Sequence, residues 1–387
     1  MDMDGKSKKS SLIFILIMFM CLQWYAVRLF HVETGLLLGT LLPGICIFSS
    51  AFVLSWAAEL AQFYIPQSMA MAFLALVAVL PEYAVDMYFT WTAGKVPEYI
   101  SYASANMTGG NRLLVGFGWA FIVFFYWLKT RKKEIILDQS HKIEISVLSV
   151  ATVYSFLLPL KGNLTLLDTF VLLGIFAYYI TKISKLGIKE PELENSTVEF
   201  ISKLKSLPRG IITFALFIFA GFSIFISAKP FAEGLLSIGS ATGIDKYILV
   251  QWIAPLASES PELITALIFI LKGQATSSFR IVISSKINQW TLLVGMLPLV
   301  YSISSGKIVP MLLDARQVEE LLLTSAQSLF ALLIISDMKF SLKEGVILFF
   351  LFITQVFFTS TEARLLYACF YLVLSGIMFF KMRKKHG

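Results

Sequence analysis

Two dipeptides carry the chemistry of this sequence: Pro81-Glu82 and Pro261-Glu262, each in the middle of a long apolar run. A carboxylate in such a run is costly unless it is paired, hydrated or binding a cation. Proline adds a second oxygen donor. It lacks the N–H that would bond the carbonyl four residues back, so it frees main-chain oxygens near each glutamate. Carboxylate and carbonyl oxygens together suit a hard cation such as Na+ or Ca2+. Helical spacing enlarges the set, because Asp86 follows Glu82 by four residues and Ser258 and Glu259 precede Glu262 by four and three. In each case a polar stretch interrupts the next apolar run. Asn106-Met-Thr-Gly-Gly-Asn-Arg112 contains Gly109 and Gly110, which allow tight backbone approach and φ > 0, and is able to unwind, with the Asn106 amide oxygen as a ligand. Ser284-Ser-Lys-Ile-Asn-Gln289 offers Ser285 and introduces Lys286.

Each residue also has a plainer reading. Glu82 and Glu262 could pair with Arg112, Arg280 or Lys286 and simply lock helices. Asp86 and Glu259 could line a solvated or salt-bridged face. Ser258 could bond back to its own helix, Asn106 could bond a neighbouring helix, and Lys286 could snorkel or sit in a salt bridge.

The pattern occurs twice at nearly one spacing. From Pro81 to the Leu113 that opens Leu-Leu-Val-Gly is 32 residues, and from Pro261 to the Leu292 that opens the same tetrapeptide is 31. The two Pro-Glu runs are the third and eighth apolar stretches. An odd separation makes the two copies cross a membrane in opposite senses, an inverted repeat. At these residues the chain resembles the cation/Ca2+ exchanger superfamily, with Pro81-Glu82 and Ala105-Asn106 in one half and Pro261-Glu262 and Ser284-Ser285-Lys286 in the other. The resemblance covers about 40 residues per half. It implies alternating access around one mid-membrane cation site with Glu82 and Glu262 as principal ligands. It also exposes departures. Ala78-Val79-Leu80 stand where the family has small hydroxyl residues, Glu259 and Ser260 alter the second half, and Lys286 stands near an expected Asn or Asp. A lysine there could replace a bound monovalent cation or carry a proton.

The elements that must position these residues are membrane helices. Of 387 residues, 57% are hydrophobic and 15% charged, against about 45–50% and about 25% in an average soluble chain. The expected fold is an all-α polytopic membrane protein of about twelve spans, each of roughly 20 residues. They fall near 11–30, 35–60, 67–93, 98–128, 144–160, 164–181, 210–228, 247–271, 276–303, 322–336, 345–360 and 363–380. The fourth and ninth are long enough to be broken or tilted. The expected organisation is an N-terminal tail and extra span over 1–30, one repeat half over 31–181, a cytoplasmic linker over 182–209, a second half over 210–361, and an extra span with a basic tail over 362–387. With a cytoplasmic N-terminus, 21 Lys and Arg lie on cytoplasmic segments and 7 on external ones. That asymmetry places both termini in the cytoplasm and assigns the net charge of +7 to topology, not to nucleic acid.

Several classes are excluded. Cys21, Cys46 and Cys369 have no metal-ligand spacing, and His31, His141 and His386 lie at segment ends. There is no GxxxxGK[ST] phosphate loop and no HExxH, so neither an ATP-driven pump nor an intramembrane enzyme is expected. No cofactor is expected. The partners are the lipid bilayer and transported cations, Ca2+ with Na+ or H+, in an integral membrane protein of the plasma membrane. The alternatives are a Na+(K+)/H+ antiporter in which Lys286 replaces a bound cation, and a channel or non-transporting membrane protein.

Overall fold

The structure, a computed structural model, describes residues 3–61, 63–64, 77, 79–185 and 197–386. Residues 65–76 and Ala78, most of the apolar run ahead of Pro81, lie outside the described residues, as do residues 186–196 in the middle of the expected linker. The helices are α1 (Met3–Leu29), α2 (Leu36–Ala61), α3 (Leu80–Ala93), α4 (Tyr99–Thr130), α5 (His141–Lys161), α6 (Leu166–Ile183), α7 (Ser206–Thr242), α8 (Lys246–Leu271), α9 (275–305), α10 (Ala315–Ile335), α11 (Leu342–Phe357) and α12 (Thr361–His386). The described part of each expected apolar stretch therefore falls on a helix. Among the described residues nine are long and apolar enough to cross a membrane. Of the other three, α3 is described only from Leu80, α11 has 16 residues, and α9 is diluted by its polar stretch.

Side-chain caps start the helices late in the chain. The Asp314 carboxylate accepts from the Gln317 backbone N–H at 2.8 Å, and the Gln317 side chain accepts from the Asp314 N–H at 3.2 Å. Ser341 and Glu344 form the same reciprocal box ahead of α11. Gly162 and Gly306 end α5 and α9 at φ 66° and 68°, a left-handed turn open to a residue without Cβ.

The seventh helix departs from expectation. It runs 37 residues to Thr242, well past the expected end at 228. At 1.5 Å per residue it is longer than the hydrocarbon core is thick. Its continuation is held against α2. A Cβ on Gly44 would lie 2.8 Å from the Phe231 ring, and one on Gly234 would run into the Thr40 side chain. Two small residues thus let the helices approach closely, as is usual where lipid supplies no hydrophobic drive.

The chain divides into two compact units, residues 1–88 with 180–249, and residues 89–179 with 250–387. The core of the first is apolar packing among α1, α2 and α7, built from Val53, Leu54, Ala57, Leu60, Ala220 and Ile224. The second contains two short antiparallel ribbons. Strand β1 (Glu134–Ile136) pairs with β4 (Lys339–Ser341), Ile135 opposite Phe340, and β2 (Asn163–Leu164) pairs with β3 (Met311–Leu312). Paired loops must lie on one side of a membrane. Among the described residues six of these labelled helices separate β1 from β4 and four separate β2 from β3, the four-residue helix Glu199–Ser202 not being a span, and both even numbers are what alternating spans require. The ribbons also exchange places when α2–α6 are matched to α7–α11.

Candidate cation site

The polar stretch of α4 that begins at Asn106 is the one expected to be able to unwind. It remains helical, and α8 likewise runs unbroken through Pro255 and Pro261. The irregularity comes later, as a π segment at Leu114–Trp119 in α4 and another at Gln289–Leu293 in α9. Such segments insert a residue into the helix without losing it.

Four residues of this stretch, 109–112, each face a different partner. Pro255 has no N–H to give the Gln251 carbonyl, and Gly109 faces that oxygen so closely that a Cβ would run into it. A Cβ on Gly110 would meet Glu259 Oε1. The Lys286 ammonium donates to Asn111 Oδ1 at 2.7 Å and to the Asn111 carbonyl at 3.2 Å. Arg112 pairs with Glu320 of α10 at 2.5 Å, donates to Gln355 Oε1 of α11 at 3.2 Å, and stacks 4.9 Å from the Trp252 ring. The two glycines serve close approach of a backbone carbonyl and a carboxylate, the tight approach that glycine permits.

In the second unit the structure brings Glu262, Ser285, Glu259 and Gln289 together in two pairs between α8 and α9. The Ser285 hydroxyl donates to Glu262 Oε2 at 2.5 Å, while the buried Glu262 Oε1 has no hydrogen-bond donor among the described residues. The Gln289 amide donates to Glu259 Oε1 at 2.8 Å. Asn106, on α4, is buried. Ser258 bonds back to the Ala254 and Pro255 carbonyls, both at 3.3 Å, so its plainer reading describes what it does here. Glu259 is 1% exposed, which removes the reading of a solvated face for it. In the first unit Glu82 and Asp86 are also buried, one turn apart on α3. Among the described residues no three His, Cys, Asp or Glu side chains form a metal cluster. Any cation held here would therefore rely on hydroxyl, amide and carbonyl oxygens as well.

The basic residues of the spans have other partners. Arg112 goes to Glu320. Arg280 goes to Glu144 and Asp138, each at 3.2 Å. Lys286 goes to Asn111 and to the face of Trp290, 4.5 Å from the ring centroid. Glu262 thus takes its hydrogen bond from a hydroxyl and not from a cation. Three features escaped the sequence reading: the Glu259–Gln289 pair, the Gln251 carbonyl, and a buried network in which Arg364 joins Glu319 at 2.8 Å beside Glu320. Pro255, four residues after Gln251, was the available signal for the freed carbonyl.

The comparisons decide the family. The sodium/calcium exchanger protein family matches residues 33–184 and 212–361, which take in both Pro-Glu helices and both polar stretches. The chain belongs to this family. The exchanger is similar to the crystal structure titled H+/Ca2+ Exchanger CAX, with 44% identity over 98% of this chain and 96% of that one and a TM-score of 0.93. Native YfkE shares the fold at 15% identity, covering 93% and 99% of the two chains, TM-score 0.63. The sodium-calcium exchanger NCX_Mj does so at 18% identity, covering 83% and 98%, TM-score 0.54. A search of curated proteins finds no match. The polytopic helical fold and the family expected from the residues are both found.

Proposed function

We propose that the exchanger is a secondary active antiporter that moves Ca2+ against H+ or Na+, with Glu82 and Glu262 as the principal ligands of one alternately exposed site. The observation that carries this is Glu262. It is a buried carboxylate in a membrane helix, oriented by a hydroxyl, with one oxygen unclaimed and the nearby cationic side chains engaged elsewhere. An ionised carboxylate in that setting calls for a cation. Asp86, Glu259, Asn106 and Ser285 complete the proposed oxygen set, and Ser258 joins it by rotating off its own helix. The empty site carries unpaired negative charge and resists reorientation, while Ca2+ or protons neutralise it. That difference couples the two fluxes. The similarity to an H+/Ca2+ exchanger favours protons as the counter-ion. The protein is proposed to lie in the plasma membrane with both termini cytoplasmic and to perform no covalent chemistry.

The test is ion-replacement flux in proteoliposomes. Calcium-45 uptake should follow an imposed pH or Na+ gradient and should be lost in Glu82→Gln and in Glu262→Gln. Uptake that ignores both substitutions refutes the site. Conductance without counter-flow would make the protein a channel.

A further inference from the structure

Lys286 has no assigned role in the proposed ligand set, yet it is among the largest fully buried side chains of the protein. It sits one residue after Ser285, which holds Glu262. Its ammonium touches one backbone carbonyl oxygen, one amide oxygen and one indole face. Neutral hard oxygens of this kind are what a monovalent alkali cation takes in place of water, and an aromatic face is a common further partner for a cation. Asn111, which supplies both oxygens, lies just before the π segment of α4, where the regular hydrogen-bond ladder is reset. A lysine whose task was only to lock helices could reach water along its flexible stem. This one is enclosed between α4 and α9, the two helices that carry the polar stretches.

We infer that Lys286 is a specificity-determining residue, a tethered cation that occupies the position of a monovalent metal ion between α4 and α9 and so makes exchange independent of Na+ or K+ at that position. The inference rests on the antiport reading. Its consequence is that a monovalent ion should become a required partner once the tethered charge is removed. Lys286→Gln retains an N–H donor toward Asn111 without the charge. Lys286→Met retains the length without either.

The experiment uses the purified full-length protein in proteoliposomes, with calcium-45 uptake driven by a pH gradient in choline, Na+ or K+ chloride. With the same salt on both sides and protons as the counter-ion, wild type should be indifferent to the salt. Both variants should be slow in choline, by roughly tenfold for the loss of a charged hydrogen bond, and should recover in Na+ or K+. Variants equally slow in all three salts overturn the inference, as does Lys286→Gln with wild-type flux in choline. Thermal melting in detergent gives a second readout that needs no transport. Na+ should raise the melting temperature of both variants relative to choline and leave wild type unchanged, and an equal melting temperature in both salts overturns the inference. Absence of wild-type Ca2+ flux under every gradient would instead refute the antiport reading.

Discussion

Replacing Arg112 tests whether the buried network fixes α4. The Arg112–Glu320 pair is 2.5 Å long, with side chains 3% and 5% exposed. Arg112→Met would leave Glu320 with the Arg364 guanidinium at 3.9 Å as its remaining cationic partner. Removing one member of a buried pair costs about 3–5 kcal/mol, because the other charge stays buried. Loss of the contact with Trp252 adds roughly 0.5–2 kcal/mol. The double variant Arg112→Met/Glu320→Leu removes both charges, and such replacements are often neutral. It should recover most of the loss, leaving Arg364 with Glu319 at 2.8 Å. The assay is a double-mutant cycle by SDS titration of the protein in detergent micelles, and the coupling energy should exceed about 2 kcal/mol. A single-variant loss below about 1 kcal/mol, the size of an exposed pair, or a double variant as unstable as the sum of the singles, would refute the idea that this network is desolvated and fixes the helix.

Other outcomes follow from individual contacts. Ser285→Ala removes the hydrogen bond to Glu262 and should raise the Ca2+ concentration for half-maximal flux by roughly tenfold; an unchanged value would separate Ser285 from the site. Gly109→Ala drives a methyl group into the Gln251 carbonyl and should destabilise the protein by about 1–3 kcal/mol in the same SDS titration, whereas Gly174→Ala, where a Cβ meets nothing within 4 Å, should not. Single cysteines at Glu134 and Lys339 should react with an impermeant thiol reagent from the cytoplasmic side, and those at Asn163 and Leu312 from the other. Labelling of paired strands from opposite sides would break the proposed topology. Asp138 lies outside the spans. Burial works against its ionisation, but Ser140, His141 and Arg280 outweigh that and hold its carboxyl below the usual range. Because the folded-state value is depressed, the stabilisation is full at neutral pH and fades as pH falls through the carboxylate range. Asp138→Asn should flatten the acid limb of the melting profile, and an unaltered limb would remove Asp138 from the interaction.

Some of the site was legible in one dimension and some was not. Glu262 and Ser285 were flagged separately, from Pro-Glu and from a polar interruption, and the structure joins them by a hydrogen bond. Gly109 and Gly110 read as able to unwind and to admit a tight backbone approach, because glycine is permissive. Which neighbour approaches depends on what faces the helix, and Gln251 and Glu259 are more than 100 residues away in sequence. Arg112 and Arg280 could be listed as candidate partners of the site glutamates, but the choice of Glu320 and Glu144 required helix rotations that no local pattern encodes. The end of α7 was missed for a similar reason. Lys229 and Pro230 read as a loop, yet packing against Thr40 and Gly44 of α2 keeps the segment helical.

The sequence by itself determined that this is a polytopic helical membrane protein, where its helices fall, and which few polar residues break its apolar runs. It could do so because the bilayer imposes one uniform demand on each span, that its backbone bonds internally and its surface be apolar. Violations of that demand stand out residue by residue. Only the tertiary structure decided how those violations are satisfied: Glu262 by a serine, Glu259 by a glutamine, Arg112 by a distant glutamate, and Lys286 by oxygens of the facing helix. Partner choice depends on which helix faces meet and at what height, and that is set by packing among helices far apart in the chain.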